Sequence, residues 1–169
     1  MLRTVLFAML LIHLTHLNFL SAEEAESVSN QLIRIHLNSR ILRSFENDSL
    51  ILSFPIRVGK IETPAPLGKA VIWIKRERPV FRYLTGPKKG EFLPWADCAD
   101  GLKRIDYSKM RALGLEYKGG EKRYSIHSIT CSETIGLAVS NGCIGLSIPD
   151  MLQLFPLIQL GTEVIISDD

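Results

Sequence analysis

Residues 31–58 read QLIRIHLNSRILRSFENDSLILSFPIRV, and their periodicity sets the fold class. Leu32, Arg34 and His36 alternate with Ile33, Ile35 and Leu37, the period-2 pattern of a strand with one buried face. Ile41–Phe45 and Leu50–Val58 repeat the pattern, and Glu46-Asn47-Asp48 between them has the composition of a hairpin turn. Gly59–Gly68 (GKIETPAPLG) reads as a loop held extended by two prolines, followed by an apolar strand at Ala70–Ile74. Pro149–Leu157 reads as a helix and Thr162–Ser167 as a last strand. The spacing predicts a mainly β domain with short helices.

The rest of the composition narrows the class. The chain has 169 residues, 46% of them hydrophobic and 22% charged, with 12 Gly and 8 Pro. This suits one globular domain and excludes a disordered chain, a coiled coil and collagen. A net charge of +2 gives no electrostatic argument for nucleic acid, and none is expected as a partner. Three cysteines are too few for a disulfide framework, and their odd number leaves at least one outside any internal pair.

Residues 1–22 (MLRTVLFAMLLIHLTHLNFLSA) read as a signal peptide. Arg3 gives the positive start, Val5–Leu14 the apolar run, and Ser21-Ala22 small residues at a cleavage point before Glu23-Glu24. Leu20 fits the small-x-small pattern poorly, so membrane association is expected only if the segment stays uncleaved. No cysteine follows the apolar run to carry a lipid anchor. The expectation is export, to a periplasm or cell-wall space. Residues 23–30 then form a short polar linker and 31–168 the domain proper.

Lys75–Arg123 stands apart in charge. It holds thirteen of the nineteen basic residues beyond Ala22 against seven acidic ones, with Trp95, Phe81, Tyr83, Phe92, Tyr107 and Tyr117 interleaved. Two readings compete: a long solvated excursion from the sheet, or a cationic, aromatic-lined flap over a cleft for an anionic ligand. Within it, Asp106–Leu113 is predicted as a short helix capped by Asp106.

The chemistry-bearing stretch is Tyr124–Leu146, YSIHSITCSETIGLAVSNGCIGL. Beyond residue 22 the only histidines are His36, which reads as surface or packing, and His127, which ends an apolar strand and opens a loop of small residues. Ser140-Asn141-Gly142-Cys143 follows thirteen positions later. A thiol with an ordinary pKa of about 8.5 is a weak nucleophile at neutral pH until a neighbouring imidazole takes its proton. Gly142 lets the backbone turn, so that its amide and that of Cys143 are candidates to face a developing oxyanion. Ser140 is placed to brace the turn. The competing reading is an ordinary Asn-Gly turn before a buried cysteine.

These residues resemble the L,D-transpeptidase catalytic domain (YkuD-like): a His, a spacer, then Ser or Thr, a variable residue, Gly, Cys and a β-branched residue. Thr63-Pro64-Ala65-Pro66-Leu67-Gly68 looks like the family's TPxG-type loop, and Val58-Gly59-Lys60 and Gly161-Thr162 also fit. The resemblance runs over roughly Gln31–Ser167 and implies a β-sandwich or mixed-sheet catalytic domain. It departs from the family at Gly145, where an arginine usually stands two residues after the nucleophile. The departure puts substrate alignment in doubt, and a basic residue of the Lys75–Arg123 excursion is the expected replacement.

What the resemblance implies is acyl transfer on peptidoglycan stem peptides without a cofactor or metal. Cys143 would attack the carbonyl before the terminal D-alanine, and His127 would accept the thiol proton and return one to the departing amine. The Ser128 carbonyl would orient the imidazole, the Gly142 amide would serve the oxyanion, and Ser140, Asn141, Trp95 and Tyr124 would contact substrate. An amine acceptor gives a cross-link; water gives an L,D-carboxypeptidase. A domain that binds peptidoglycan without turning it over is the alternative, and a reactive Cys143 distinguishes the two. Papain-like peptidases place cysteine before histidine, and sortase-like enzymes need an arginine after the nucleophile, whereas no Lys or Arg follows Cys143. Zinc at His127, Cys131 and Cys143 lacks paired spacing and a fourth ligand. Cys131, four residues after His127, is an alternative nucleophile but lacks a preceding glycine; it reads instead as a bystander or as the pair of Cys98.

Overall fold

The computed structural model describes residues 30–80, 82, 87, 89–91 and 106–169. Residues 1–29, with the segment read as a signal peptide, lie outside them, as do Trp95 and Cys98. Ten strands and one helix make up the described elements: β1 (Gln31–His36), β2 (Ile41–Glu46), β3 (Ser49–Pro55), β4 (Val58–Gly59), β5 (Gly68–Glu77), β6 (Arg111–Tyr117), β7 (Ser125–Ile129), β8 (Ala138–Ser140), β9 (Ile144–Ser147), α1 (Ile148–Leu157) and β10 (Glu163–Ser167). Eight strands form one mixed sheet in the order β3-β2-β1-β10-β5-β6-β7-β9, while β4 and β8 pair separately. The mainly β, mixed-sheet expectation holds.

The alternation in the opening stretch is a burial pattern. Ile33 and Ile35 are fully buried, and they pair with Val164 and Ile166 of the parallel strand β10, also buried. The apolar face continues through Ala70, Ile72, Leu113, Leu115, Ile126, Ile144 and Leu146. Asn47 and Asp48 connect β2 to β3 at φ +48° and +63°, two left-handed residues of the kind that let a tight hairpin follow the strand twist. Ser147 caps α1 by accepting the Asp150 amide, and Met151 and Leu154 bury its inner face. Gln31 holds the far end of α1: its Nε2 donates to the Leu157 carbonyl, and its Oε1 accepts from Gln159 N and Thr162 Oγ1.

Two local expectations give way. The predicted helix over Asp106–Leu113 shrinks to a 3-10 turn at Tyr107–Lys109, with Asp106 capping it through Ser108 N. From Arg111 the chain is strand, because β5 and β7 flank it on both sides and Leu113 and Leu115 bury on one face. Pairing on both edges outweighs local propensity. Nor is Lys75–Arg123 an excursion at its ends, since β5 runs to Glu77 and Arg111–Tyr117 is an interior strand.

Four of the described cations of that segment make contacts within the fold. Lys75 Nζ donates to the Ile158 carbonyl and stands 4.7 Å from the Phe155 ring centroid, and burial lowers its pKa. Arg111 lies 5.6 Å from the same ring. Lys122 pairs with Glu116 at 3.0 Å and covers Trp73, while Arg123 pairs with Glu121 at 3.0 Å.

Candidate active site

Strands β7 and β9 run parallel with Ile126 beside Ile144 and His127 beside Gly145. One step back along both strands, Ser125 stands beside Cys143, and Ser125 Oγ donates to Cys143 Sγ at 3.7 Å. Side chains two apart share a face, so Ser125, His127, Cys143 and the position of Gly145 all lie on one side of the sheet. Cys143 and His127 are thus diagonal neighbours on adjacent strands. Their sixteen-residue separation in sequence is closed by the parallel crossover.

His127 occupies the middle of β7 rather than its end, because Ser128 and Ile129 go on to pair with Leu146 and Ser147. Its Nδ1 lies 2.9 Å from the Ser128 carbonyl oxygen, the orienting contact expected of that residue. With Nδ1 as the donor, Nε2 is the basic nitrogen. Burial, opposed by the Ser128 bond and reinforced by the nearby Arg57 charge, lowers the His127 pKa to about 4. By accessible surface the residue is only half-buried, so water at the ring edge moderates that shift.

The cysteine turn is built by Ser140. Its Oγ accepts from Gly142 N at 3.2 Å and donates to the Cys143 carbonyl at 2.6 Å. Gly142 sits at φ +100°, and a Cβ there would fall 2.6 Å from the Tyr124 ring and 3.1 Å from the Pro64 carbonyl. Only glycine fits. The Thr63–Gly68 loop contributes Thr63 Oγ1, which donates to the Ser140 carbonyl at 3.3 Å, and Lys60 N donates to the same oxygen at 3.0 Å.

Against the sequence expectations, the structure brings together His127, Ser128, Cys143, Ser140 and Gly142. Two roles change. The Gly142 amide, expected to face an oxyanion, is held by the Ser140 hydroxyl; that hydroxyl, expected to touch substrate, is buried and engaged in both directions. Tyr124 packs on Gly142 and meets Tyr117 edge-on at 5.8 Å, so its ring shapes the turn. Asn141 is exposed. His36 serves packing, with Nδ1 2.7 Å from the Asp169 carbonyl. Cys143 is a free thiol and half-buried, whereas Cys131 is disulfide-bonded; Cys98, its expected partner, lies outside the described residues. Sequence reasoning missed Ser125, whose only signal was its place two residues before His127, and Arg57. It looked for a cation in the Lys75–Arg123 segment; among the described residues the cation acting on His127 is Arg57, which precedes that segment.

A free thiol and a histidine held neutral on one sheet face, above a rigid glycine turn, are the parts of an acyl-transfer site. Residues 30–166 match the family model of the YkuD L,D-transpeptidase catalytic domain, and the chain belongs to that family. It is 33% identical over 135 residues to the L,D-transpeptidase-family protein YkuD of Bacillus licheniformis, covering 80% of this chain and 64% of that one. It is 31% identical over 117 residues to the family protein YqjB of Bacillus subtilis, covering 69% and 59%. The chain thus spans less than two thirds of the length of these curated relatives. The fold is also that of L,D-transpeptidase 3 from Mycobacterium tuberculosis, solved with a faropenem-derived adduct, at TM-score 0.62 and 15% identity over 82% of this chain and 60% of that one.

Proposed function

We propose that this chain is an exported cysteine L,D-transpeptidase acting on peptidoglycan stem peptides through a thioester. His127 Nε2 takes the Cys143 proton, and the sulfur attacks the donor carbonyl. The tetrahedral oxyanion collapses with loss of D-alanine, whose amine receives the proton from His127. An acceptor amine, or water, then attacks the thioester as His127 takes its proton; the C–S bond breaks, and the departing Cys143 sulfur recovers that proton. With the Gly142 amide held by Ser140, the Cys143 amide is the donor assigned to the oxyanion. Such a donor is worth about 3 kcal/mol in the transition state.

The observation that carries this reading is the pairing of β7 with β9, which sets Cys143 diagonally beside an imidazole oriented by Ser128. Intact mass after incubation with faropenem tests it. A single stable adduct, lost in Cys143→Ala, is expected. A folded, reduced protein that stays unmodified would favour a domain that binds peptidoglycan without reacting, and an adduct surviving in Cys143→Ala would refute the assignment of the nucleophile.

A further inference from the structure

Arg57 lies just before β4 and forms an antiparallel bridge with Gly145, its N–H donating to the Gly145 carbonyl at 2.8 Å and its carbonyl accepting from Gly145 N at 2.9 Å. Gly145 in turn stands beside His127. Residues aligned across strands share a face, so Arg57, Gly145 and His127 form one lateral row with the side-chain-free residue in the middle. A Cβ at Gly145 would fall 3.0 Å from Arg57 Nε, 3.2 Å from Arg57 Cβ and 2.7 Å from Ile129 Cγ2. The space above Gly145 is therefore already filled, by the Arg57 side chain from one side and Ile129 from the other. Arg57 Nε is itself buried there.

We propose that Arg57 is a positioning residue of this site, delivering the guanidinium toward His127 from the strand bridged to Gly145, so that residues 57 and 145 form a reciprocal pair in which one must be small for the other to be arginine. The inference deepens the proposed acyl transfer and rests on it for its kinetic consequences. The cation disfavours a second positive charge on the imidazole, which keeps His127 in the form that accepts the thiol proton. Electrostatics agree with the geometry, since Arg57 is the charged group that lowers the His127 pKa.

Among the described residues, the other titratable or charged groups around β7 are the site's own Cys143, Tyr117 of β6, whose hydroxyl is buried, and groups that have partners of their own or stand apart from His127. Cys143 precedes β9 and is bonded by Ser125. On β6, Arg111 donates to the Ser108 and Met110 carbonyls, and Glu116 pairs with Lys122. On α1, Asp150 accepts from Ser147 Oγ at 2.6 Å. Arg76 of β5 is exposed, and Ala112 separates it from His127 in the row.

The test reads the imidazole directly, independent of any reaction. His127 is titrated by NMR in the wild type, Arg57→Met, Arg57→Lys, Gly145→Arg and the double variant Arg57→Ala/Gly145→Arg. Arg57→Met keeps most of the stem packing and removes the charge, so the His127 pKa is expected to rise, while Arg57→Lys leaves it low. Burial of the ring persists in Arg57→Met, so the pKa stays below about 6.5; a rise from about 4 to about 5 would roughly halve faropenem acylation at pH 5 relative to pH 8. Gly145→Arg alone is expected to be defective, because Arg57 and Ile129 occupy its space, and removing Arg57 in the double variant relieves the guanidinium contact but not the one to Ile129, so the low pKa and acylation return in part. An unmoved His127 pKa in Arg57→Met, or a double variant no better than Gly145→Arg, would overturn the pairing. A wild type that shows the titration but takes no adduct would refute the acyl-transfer reading and leave the pair standing.

Discussion

Replacing Ser140 by alanine isolates the device that holds the cysteine turn. The hydroxyl makes two bonds, accepting from Gly142 N at 3.2 Å and donating to the Cys143 carbonyl at 2.6 Å. Both Ser140 and Gly142 are buried, so water does not readily replace what is lost. Each bond contributes about 1 kcal/mol net, and leaving the buried Gly142 N–H unpaired adds a further penalty, giving a loss of about 2–3 kcal/mol. Against a total stability of about 5–15 kcal/mol, that is a large share. Urea unfolding followed by tryptophan fluorescence should show a midpoint lower by about 1 M. Faropenem acylation should slow as well, because the turn that sets the Cys143 amide and thiol loses its brace. Ser140→Thr keeps the hydroxyl and should stay within about 1 kcal/mol of the wild type. An alanine variant that unfolds with the wild type and acylates at the same rate would show that the backbone conformation of Gly142, not Ser140, holds the turn.

Other outcomes can be checked with the same assays. Tyr117 buries a hydroxyl that forms no hydrogen bond among the described residues, so Tyr117→Phe should be neutral or stabilising by up to about 1 kcal/mol in urea unfolding. Ser147→Ala removes the cap of α1 and should lower stability by about 1 kcal/mol, measured as a thermal shift. His127 has a folded pKa below its unfolded value, so the unfolded chain binds the extra proton first. Its contribution to stability is complete above about pH 6.5 and is lost as pH falls toward about 4, and urea midpoints of His127→Gln should show a flatter acid limb than the wild type across that window. The acylation rate of the wild type should likewise hold well below pH 6.5, since the base stays neutral there.

Local pattern was enough for much of this molecule. The alternation of Ile33 and Ile35 with Leu32, Arg34 and His36, the turn at Asn47-Asp48, the helix after Ser147 and the last strand were all legible, because each depends on short-range periodicity or on backbone preferences of a few residues. The histidine and the serine–glycine–cysteine turn were legible for the same reason: few residue types do that chemistry, and they cluster in one stretch. What only the tertiary structure decided depends on strand neighbours far apart in sequence. Arg111–Leu113 became strand because β5 and β7 flank it, and Lys75 and Arg111 became supports for Phe155 rather than a flap. The register of β7 on β9 set Ser125 against the thiol. A bridge between residues 57 and 145 likewise brings two positions distant in sequence to the same point on the sheet. Composition carries no trace of that pairing; register does.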